Sequence, residues 1–135
     1  MLGELLGESS GKLLGMRVLP TEGQLVKVEV SFQGTGKFLG EEMTDMGTYW
    51  SVAQPDGSLF GDGQGVLMTA DGGMATWRGQ GVGRLTGRGS AVNYRGAVYY
   101  QTASKQLARL NGVAAVYEFN VDENGNIQAQ LWEWK

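Results

Sequence analysis

Apolar and polar residues alternate with a period of two along much of the chain. The clearest run alternates the apolar Val26, Val28, Val30 and Phe32 with the polar Lys27, Glu29, Ser31 and Gln33. This pattern is typical of β-strands with one buried and one solvated face. Turn-forming sequences separate the strand-length stretches at four places: QPDG from Gln54, ADGG from Ala70, TGRG from Thr86 and DENGN from Asp122. The pattern therefore predicts an all-β protein built from hairpins.

The spacing of these turns predicts about eight strands. Their predicted spans are Ser9–Leu19, Gln24–Gly34, Lys37–Val52, Ser58–Thr69, Met74–Leu85, Ser90–Thr102, Val113–Val121 and Ile127–Trp134. The long third span is expected to bend near Gly40. Eight strands suffice for a closed barrel whose interior holds side chains or one small ligand. We therefore predict a closed antiparallel up-and-down β-barrel that forms a single domain over residues 1–135. One short helix or turn is expected near residues 104–112.

Two neighbouring predicted strands carry glycine at every second position. Gly61, Gly63 and Gly65 occupy the first strand, and Gly79, Gly81 and Gly83 occupy the second. A three-residue loop at 71–73 would pair Gly63 with Gly81, and a two-residue loop at 87–88 would place Tyr94 beside Gly81. A four-residue loop at 54–57 would place Trp50 opposite Gly61. The glycines would then clear an inner patch, which Tyr94 and Trp50 either fill or leave hollow.

Composition narrows the chemistry that such a barrel could support. The 135 residues include no cysteine and no histidine, and the net charge is -3. Thiolate nucleophiles and histidine-assisted nucleophiles are therefore excluded, and we expect no metal site and no cofactor. The negative charge does not favour nucleic acid, and we expect no membrane segment. The first ten residues do not resemble a signal peptide, so we expect a cytoplasmic protein.

Two glutamates in the last predicted hairpin are candidate catalytic acids. A two-residue turn at Asn124–Gly125 would place Glu118 and Glu133 diagonally on one face of the hairpin. The other face would carry Tyr117, Phe119, Trp132 and Trp134. If the glutamate face were internal, the pKa of one carboxyl would rise, and that carboxyl would act as a general acid. The aromatic face is the more apolar of the two, which favours glutamates on the surface.

The middle of the chain resembles a known group of barrels. The features that carry the resemblance are the strand–turn–strand DGGMATWRGQGVGRLTG from Asp71 and the next strand YRGAVYY from Tyr94. They resemble the small, calycin-like barrels related to allene oxide cyclase and dirigent proteins. The whole chain resembles small prokaryotic β-barrel proteins of unassigned activity. The resemblance implies eight antiparallel strands, a hydrophobic cavity and frequent oligomers, and it assigns no catalytic residue to this chain.

The favoured function is non-enzymatic binding of a small apolar or aromatic ligand in the barrel cavity. The predicted ligand-binding residues share one inner face: Trp50, Trp77, Tyr94, Tyr100, Gly63 and Gly81. A cofactor-free cyclase or isomerase of the allene oxide cyclase type, with Glu118 or Glu133 as the acid, is the second hypothesis. A structural or oligomeric interaction module without a ligand is the third. The expected partner is an apolar small molecule, and a homo-oligomer is left open.

Overall fold

The chain folds into a closed barrel of eight antiparallel strands joined in sequence order. The computed structural model describes residues 1–21, 23 and 25–135. The strands are β1 (Leu2–Leu19), β2 (Lys27–Phe38), β3 (Glu41–Ala53), β4 (Leu59–Thr69), β5 (Met74–Leu85), β6 (Val92–Gln101), β7 (Ala115–Val121) and β8 (Asn126–Trp134). Pairing of β8 with β1 closes the sheet. The predicted all-β, up-and-down barrel is confirmed.

A short 3₁₀ helix (Lys105–Leu110) between β6 and β7 covers one end of the barrel. Its Leu107 and Leu110 side chains are each 1% exposed and belong to a core cluster that includes Leu6 and Phe38. Burial of these two leucines holds the helix on the barrel, because removing apolar surface from water is favourable. The predicted short helix is confirmed. Within the described residues, no helix has the length and apolar character needed to cross a membrane.

The boundaries of the first three strands differ from the predicted ones. β1 begins at Leu2 rather than at Ser9. The predicted long strand Lys37–Val52 is divided by a two-residue turn at Leu39–Gly40, where φ is 52° and 83°. The expected bend near Gly40 is thus a full hairpin turn, which the sequence does not indicate because such turns need positive φ at both central residues and leucine rarely adopts it. The predicted start of the second strand at Gln24 lies outside the described residues.

Three of the hairpins share one kind of loop. Each loop has three residues and ends in a glycine with positive φ: Pro55–Gly57 (89°), Ala70–Gly72 (93°) and Glu123–Gly125 (80°). A turn followed by one left-handed residue is a common three-residue connection, and glycine adopts the left-handed conformation without steric cost. The predicted loops began or ended at other residues, so the pairing registers differ from the predicted ones.

Two register differences, one between β4 and β5 and one between β5 and β6, leave the inner face unchanged. Gly63 pairs with Gly79 rather than with Gly81, because the loop between β4 and β5 begins one residue earlier. Tyr94 pairs with Gly83 rather than with Gly81, because the loop between β5 and β6 is longer than predicted. Each difference displaces the partner by two residues. Since strand side chains alternate with a period of two, the same residues still face the interior.

The pairing register between β3 and β4 differs from the predicted register by one residue, which exchanges the inner and outer faces of β3. Ser51 pairs with Gly61, and Trp50 pairs with Asp62. Trp50 therefore lies on the outer face, where the Lys27 ammonium sits 4.5 Å from the centre of its ring. The prediction that Trp50 folds over Gly61 is wrong. The cause is a loop of three residues where four were predicted.

Aromatic rings occupy the space that the inner glycines clear. Trp77 lies against Gly47 and Gly65, Tyr94 against Gly61 and Gly83, and Tyr117 against Gly81. A side chain at most of these glycines would overlap a ring or a neighbouring backbone. The ring beside Gly81 is thus Tyr117, not the predicted Tyr94. The alternating glycines let large rings enter a narrow barrel.

Replacement of Gly65 by valine is expected to lower the free energy of unfolding by about 1–3 kcal/mol, the usual cost of overpacking. A Cβ at Gly65 would overlap both the Met46 carbonyl and the Trp77 indole. Gly15→Val is the matched control, because Gly15 is exposed and no described residue lies within 4 Å of its added Cβ. Urea denaturation measures both variants. Equal midpoints would contradict a packing role for Gly65.

Candidate functional site

A cavity of about 90 Å³ lies among the rings inside the barrel. Its aromatic lining consists of Phe32, Tyr49, Trp77, Tyr94, Tyr100, Tyr117 and Phe119. Val98, Ile127 and Leu131 add aliphatic wall. A cavity needs only about 10–15 Å³ of such volume to hold one water, so this one has room for several waters. The barrel is therefore largely filled by rings, with a small hollow between them.

One side of this cavity is a cluster of aromatic rings centred on Phe32. The centre of the Phe32 ring lies 5.2 Å from Phe119, 6.0 Å from Tyr49 and 6.1 Å from Trp77. These separations fall in the range of favourable edge-to-face and tilted pairs. The rings come from four different strands, so the cluster ties distant parts of the barrel together. This gives the cavity a preformed wall.

Asp45 of β3 places a carboxyl group in this aromatic wall. Its Oδ1 accepts a hydrogen bond of 2.8 Å from the Trp77 indole Nε1. In the part of the chain that the structure describes, no lysine or arginine forms an ion pair with it. Burial raises the pKa of Asp45 from 3.8 to about 6, against the opposing hydrogen bonds from Trp77 and the Met46 backbone. Asp45 thus titrates close to neutral pH.

Four tyrosines bring hydroxyl groups into or beside the cavity. Tyr94 shares a hydrogen bond with the Ser51 hydroxyl. Burial raises the pKa of Tyr117 to about 12. Burial also raises the pKa values of Tyr49 and Tyr94, and burial together with the nearby Asp45 charge raises that of Tyr100. All four hydroxyls therefore stay protonated at neutral pH and serve as neutral hydrogen-bonding groups.

The structure brings together most of the predicted ligand-binding residues. Trp77, Tyr94, Tyr100 and Gly63 line the cavity. Gly81 is buried on the inner face, where it faces the Tyr117 hydroxyl beside the cavity. Trp50 lies on the outer face, so its predicted place in the lining is wrong. Ligand binding by the other five stays a prediction.

Glu118 and Glu133 do not share a face of the last hairpin. The three-residue loop pairs Glu118 with Gln130, one residue from the predicted register, which places the two glutamates on opposite faces. Glu118 forms an ion pair of 3.6 Å with Arg95 on the outer surface. Glu133, only 15% exposed in its side chain, forms an ion pair of 3.2 Å with Arg109 of the 3₁₀ helix. The predicted pair of catalytic acids is therefore not formed.

The aromatic face predicted for this hairpin is also divided. β7 turns Tyr117 and Phe119 into the barrel, and β8 turns Ile127, Ala129 and Leu131 inward. Trp132 and Trp134 alternate with these β8 residues and face outward, with Trp134 56% exposed. The inner face of this hairpin therefore combines the aromatic residues of β7 with the aliphatic residues of β8.

Asp45 is the site residue that sequence inspection missed. A usable signal was present, because Met43, Asp45, Gly47 and Tyr49 alternate on one side of β3. Met43 and Tyr49 are natural core residues, so the alternation places the carboxyl between them on the buried face. An acidic residue on the buried face of a strand indicates either a buried partner or a functional group.

Neither a family model nor a curated protein matches the sequence. Several solved structures share the barrel. A conserved protein of unknown function from Rhodopseudomonas palustris has a TM-score of 0.82 at 11% identity, over 98% of this chain and 97% of that one. A beta-barrel like protein from Acinetobacter baumannii has a TM-score of 0.82 at 17% identity, over 100% and 96%. An enzyme from Penicillium herquei has a TM-score of 0.70 at 18% identity, over 96% and 92%. At these identities the likeness establishes the fold alone.

Proposed function

We propose that this barrel binds a small, largely apolar molecule in its interior cavity. The observation that carries the proposal is the cavity of about 90 Å³ with an aromatic wall and few polar groups. An apolar hollow with a small number of placed polar groups is the usual form of a small-molecule site. The similarity to other small barrels, one of them an enzyme, is consistent with this proposal.

The volume of the cavity limits the size of the ligand. Pockets for drug-sized ligands usually measure about 300–1,000 Å³, and a cavity of roughly 150 Å³ admits benzene. By the same ratio, about 90 Å³ suits a molecule of roughly four non-hydrogen atoms. The alternative suggested by the resemblance to allene oxide cyclase, a cofactor-free cyclase or isomerase, would require a compact substrate. Asp45 would then be its candidate acid or base, because its carboxyl lines the cavity.

Isopropanol, a neutral molecule of four non-hydrogen atoms, is expected to bind with millimolar affinity, about -4 kcal/mol. Nuclear magnetic resonance of the indole N–H groups measures this binding, since each of the four tryptophans gives one signal. The Trp77 signal should shift saturably, because its ring lines the cavity. The signal of Trp50, on the outer face, should not follow the same curve.

A cavity-filling variant provides the matching test. Ala129 lines the cavity, so Ala129→Leu should abolish the saturable shift of the Trp77 signal. Ala97→Leu adds the same group on the outer face of β6 and should leave binding intact. A titration in which the Trp77 signal never saturates in the unmodified protein would overturn the proposed function.

A further inference from the structure

We propose that the ligand of this cavity is a compact alkylammonium ion, whose charged group binds the Asp45 carboxylate and lies against the Trp77 ring. The inference rests on the proposed function, because it names the class of ligand for the same cavity. It differs from that function in requiring a positive charge on the ligand.

The first argument is the uncompensated charge of Asp45. A carboxylate that leaves water needs hydrogen bonds and a partner of opposite charge to offset its lost hydration. Asp45 has the Trp77 indole and the Met46 backbone as hydrogen-bond donors, both of them neutral. In the described part of the chain no lysine or arginine ion-pairs with it. A ligand cation would supply the missing charge, whereas an anion would be repelled.

The second argument is the aromatic wall around the carboxyl. The negative face of an aromatic ring attracts cations, and tryptophan does so most strongly. Trp77 is held in place by its hydrogen bond to Asp45 and by close contact with Gly47 and Gly65. Its ring also lines the cavity, together with Phe32 and several tyrosines. A carboxylate beside fixed aromatic rings favours a small ammonium group carrying alkyl substituents.

The third argument is that the remaining groups around Asp45 are neutral. Its cross-strand neighbours are Gly34 on β2 and Leu67 on β4. β5 contributes Trp77 and β6 contributes Tyr100, the titratable group whose pKa responds to the Asp45 charge. Asp62 also borders the cavity, but it alternates with the inward Gly61 and Gly63, and its carboxylate accepts a hydrogen bond from Gln80 on the outer face. Because Tyr100 keeps its proton at neutral pH, ionisation of Asp45 sets the charge beside Trp77.

Isopropylammonium is the probe, and isopropanol is its neutral counterpart with the same number of non-hydrogen atoms. At pH 7.5 isopropylammonium should bind at least about tenfold more tightly than isopropanol. Because the pKa of Asp45 is about 6, only about a tenth of the carboxyl is ionised at pH 5, and the apparent affinity for the cation should fall about tenfold. Isopropanol should show no such loss. The Trp77 indole signal reports both titrations.

Asp45→Asn should lower the affinity for isopropylammonium at least about tenfold and change the affinity for isopropanol by no more than about twofold. Glu42→Gln, an exposed change of equal charge on the same strand, should affect neither probe. Trp77→Phe keeps the carboxylate and should weaken the binding of isopropylammonium several-fold. Calorimetry measures this variant, because it lacks the Trp77 indole signal. Equal affinities for the two probes, or a cation affinity independent of pH, would overturn this inference and leave the proposed function standing. Failure of both probes would overturn the two together.

Discussion

Replacement of Phe38 by alanine is expected to lower the free energy of unfolding by about 3–5 kcal/mol, the usual cost of deleting a buried aromatic ring. The Phe38 side chain is 0% exposed, and its ring centre lies 5.3 Å from that of Tyr100. The ring also lies against Gly7, where an added side chain would collide with it. Together with Leu107 and Leu110 it fills the barrel end that the 3₁₀ helix covers. Phe38 pairs with Gly7 of β1 and with Glu41 of β3, so its backbone has little freedom to move into the space left behind.

Urea denaturation of Phe38→Ala and of an exposed control measures this loss. Leu85→Ala is suitable because Leu85 is 62% exposed, and its change should stay within about 0.5 kcal/mol. Phe38→Leu should fall between the two, since leucine restores part of the lost volume. A small domain has only about 5–15 kcal/mol of stability in total, so the alanine variant should unfold at a much lower urea concentration. Similar midpoints for Phe38→Ala and Leu85→Ala would show that this end of the barrel is not tightly packed.

The architecture could be predicted because a period of two and recurrent turn sequences are local signals. Loop length was the weaker signal. The pairs Asp56–Gly57 and Asn124–Gly125 mark turns, but glycine also ends three-residue loops, so these pairs do not fix the loop length. One residue of error in a loop reverses a whole strand face. One such error in the β3–β4 loop moved Trp50 into the predicted lining, and another in the β7–β8 loop placed Glu118 on the same face as Glu133.

The candidate site was harder to predict than the fold. The volume of the cavity is the small difference between the volume of the barrel interior and that of the rings inside it. The positions of these rings depend on contacts between distant strands, such as the contact of Trp77 on β5 with Gly47 on β3. Such contacts link residues far apart in sequence and leave no local pattern. Asp45 is different, because the alternation of β3 could have placed it inside. Its role as a binding group depends on the lack of a lysine or arginine partner among the described residues, which only the folded barrel shows.

Replacement of Asp45 by asparagine is expected to stabilise the barrel at neutral pH and to leave its stability unchanged in acid. The pKa of the carboxyl is about 6 in the folded barrel, against an ordinary value of 3.8. Since the folded state holds the proton more tightly, the contribution of Asp45 to stability is complete below about pH 3.8. It is lost as the pH rises through about 6. At 1.36 kcal/mol for each unit of pKa, the loss is about 3 kcal/mol at pH 7.

Urea unfolding of the unmodified protein and of Asp45→Asn, between pH 4 and pH 8, checks this linkage. The difference between them should grow from about 0.5 kcal/mol at pH 4 to about 3 kcal/mol at pH 8. Glu42→Gln removes the same charge from the exposed side of β3 and should not reproduce the pH dependence. A difference that stays constant with pH would contradict a titrating, buried carboxyl. A group that destabilises the folded chain at neutral pH is common in binding sites, because the residues that bind a ligand often lower the stability of the free protein. Isopropylammonium should then narrow the difference at pH 7, because it binds the protein that carries the carboxylate more tightly than it binds Asp45→Asn.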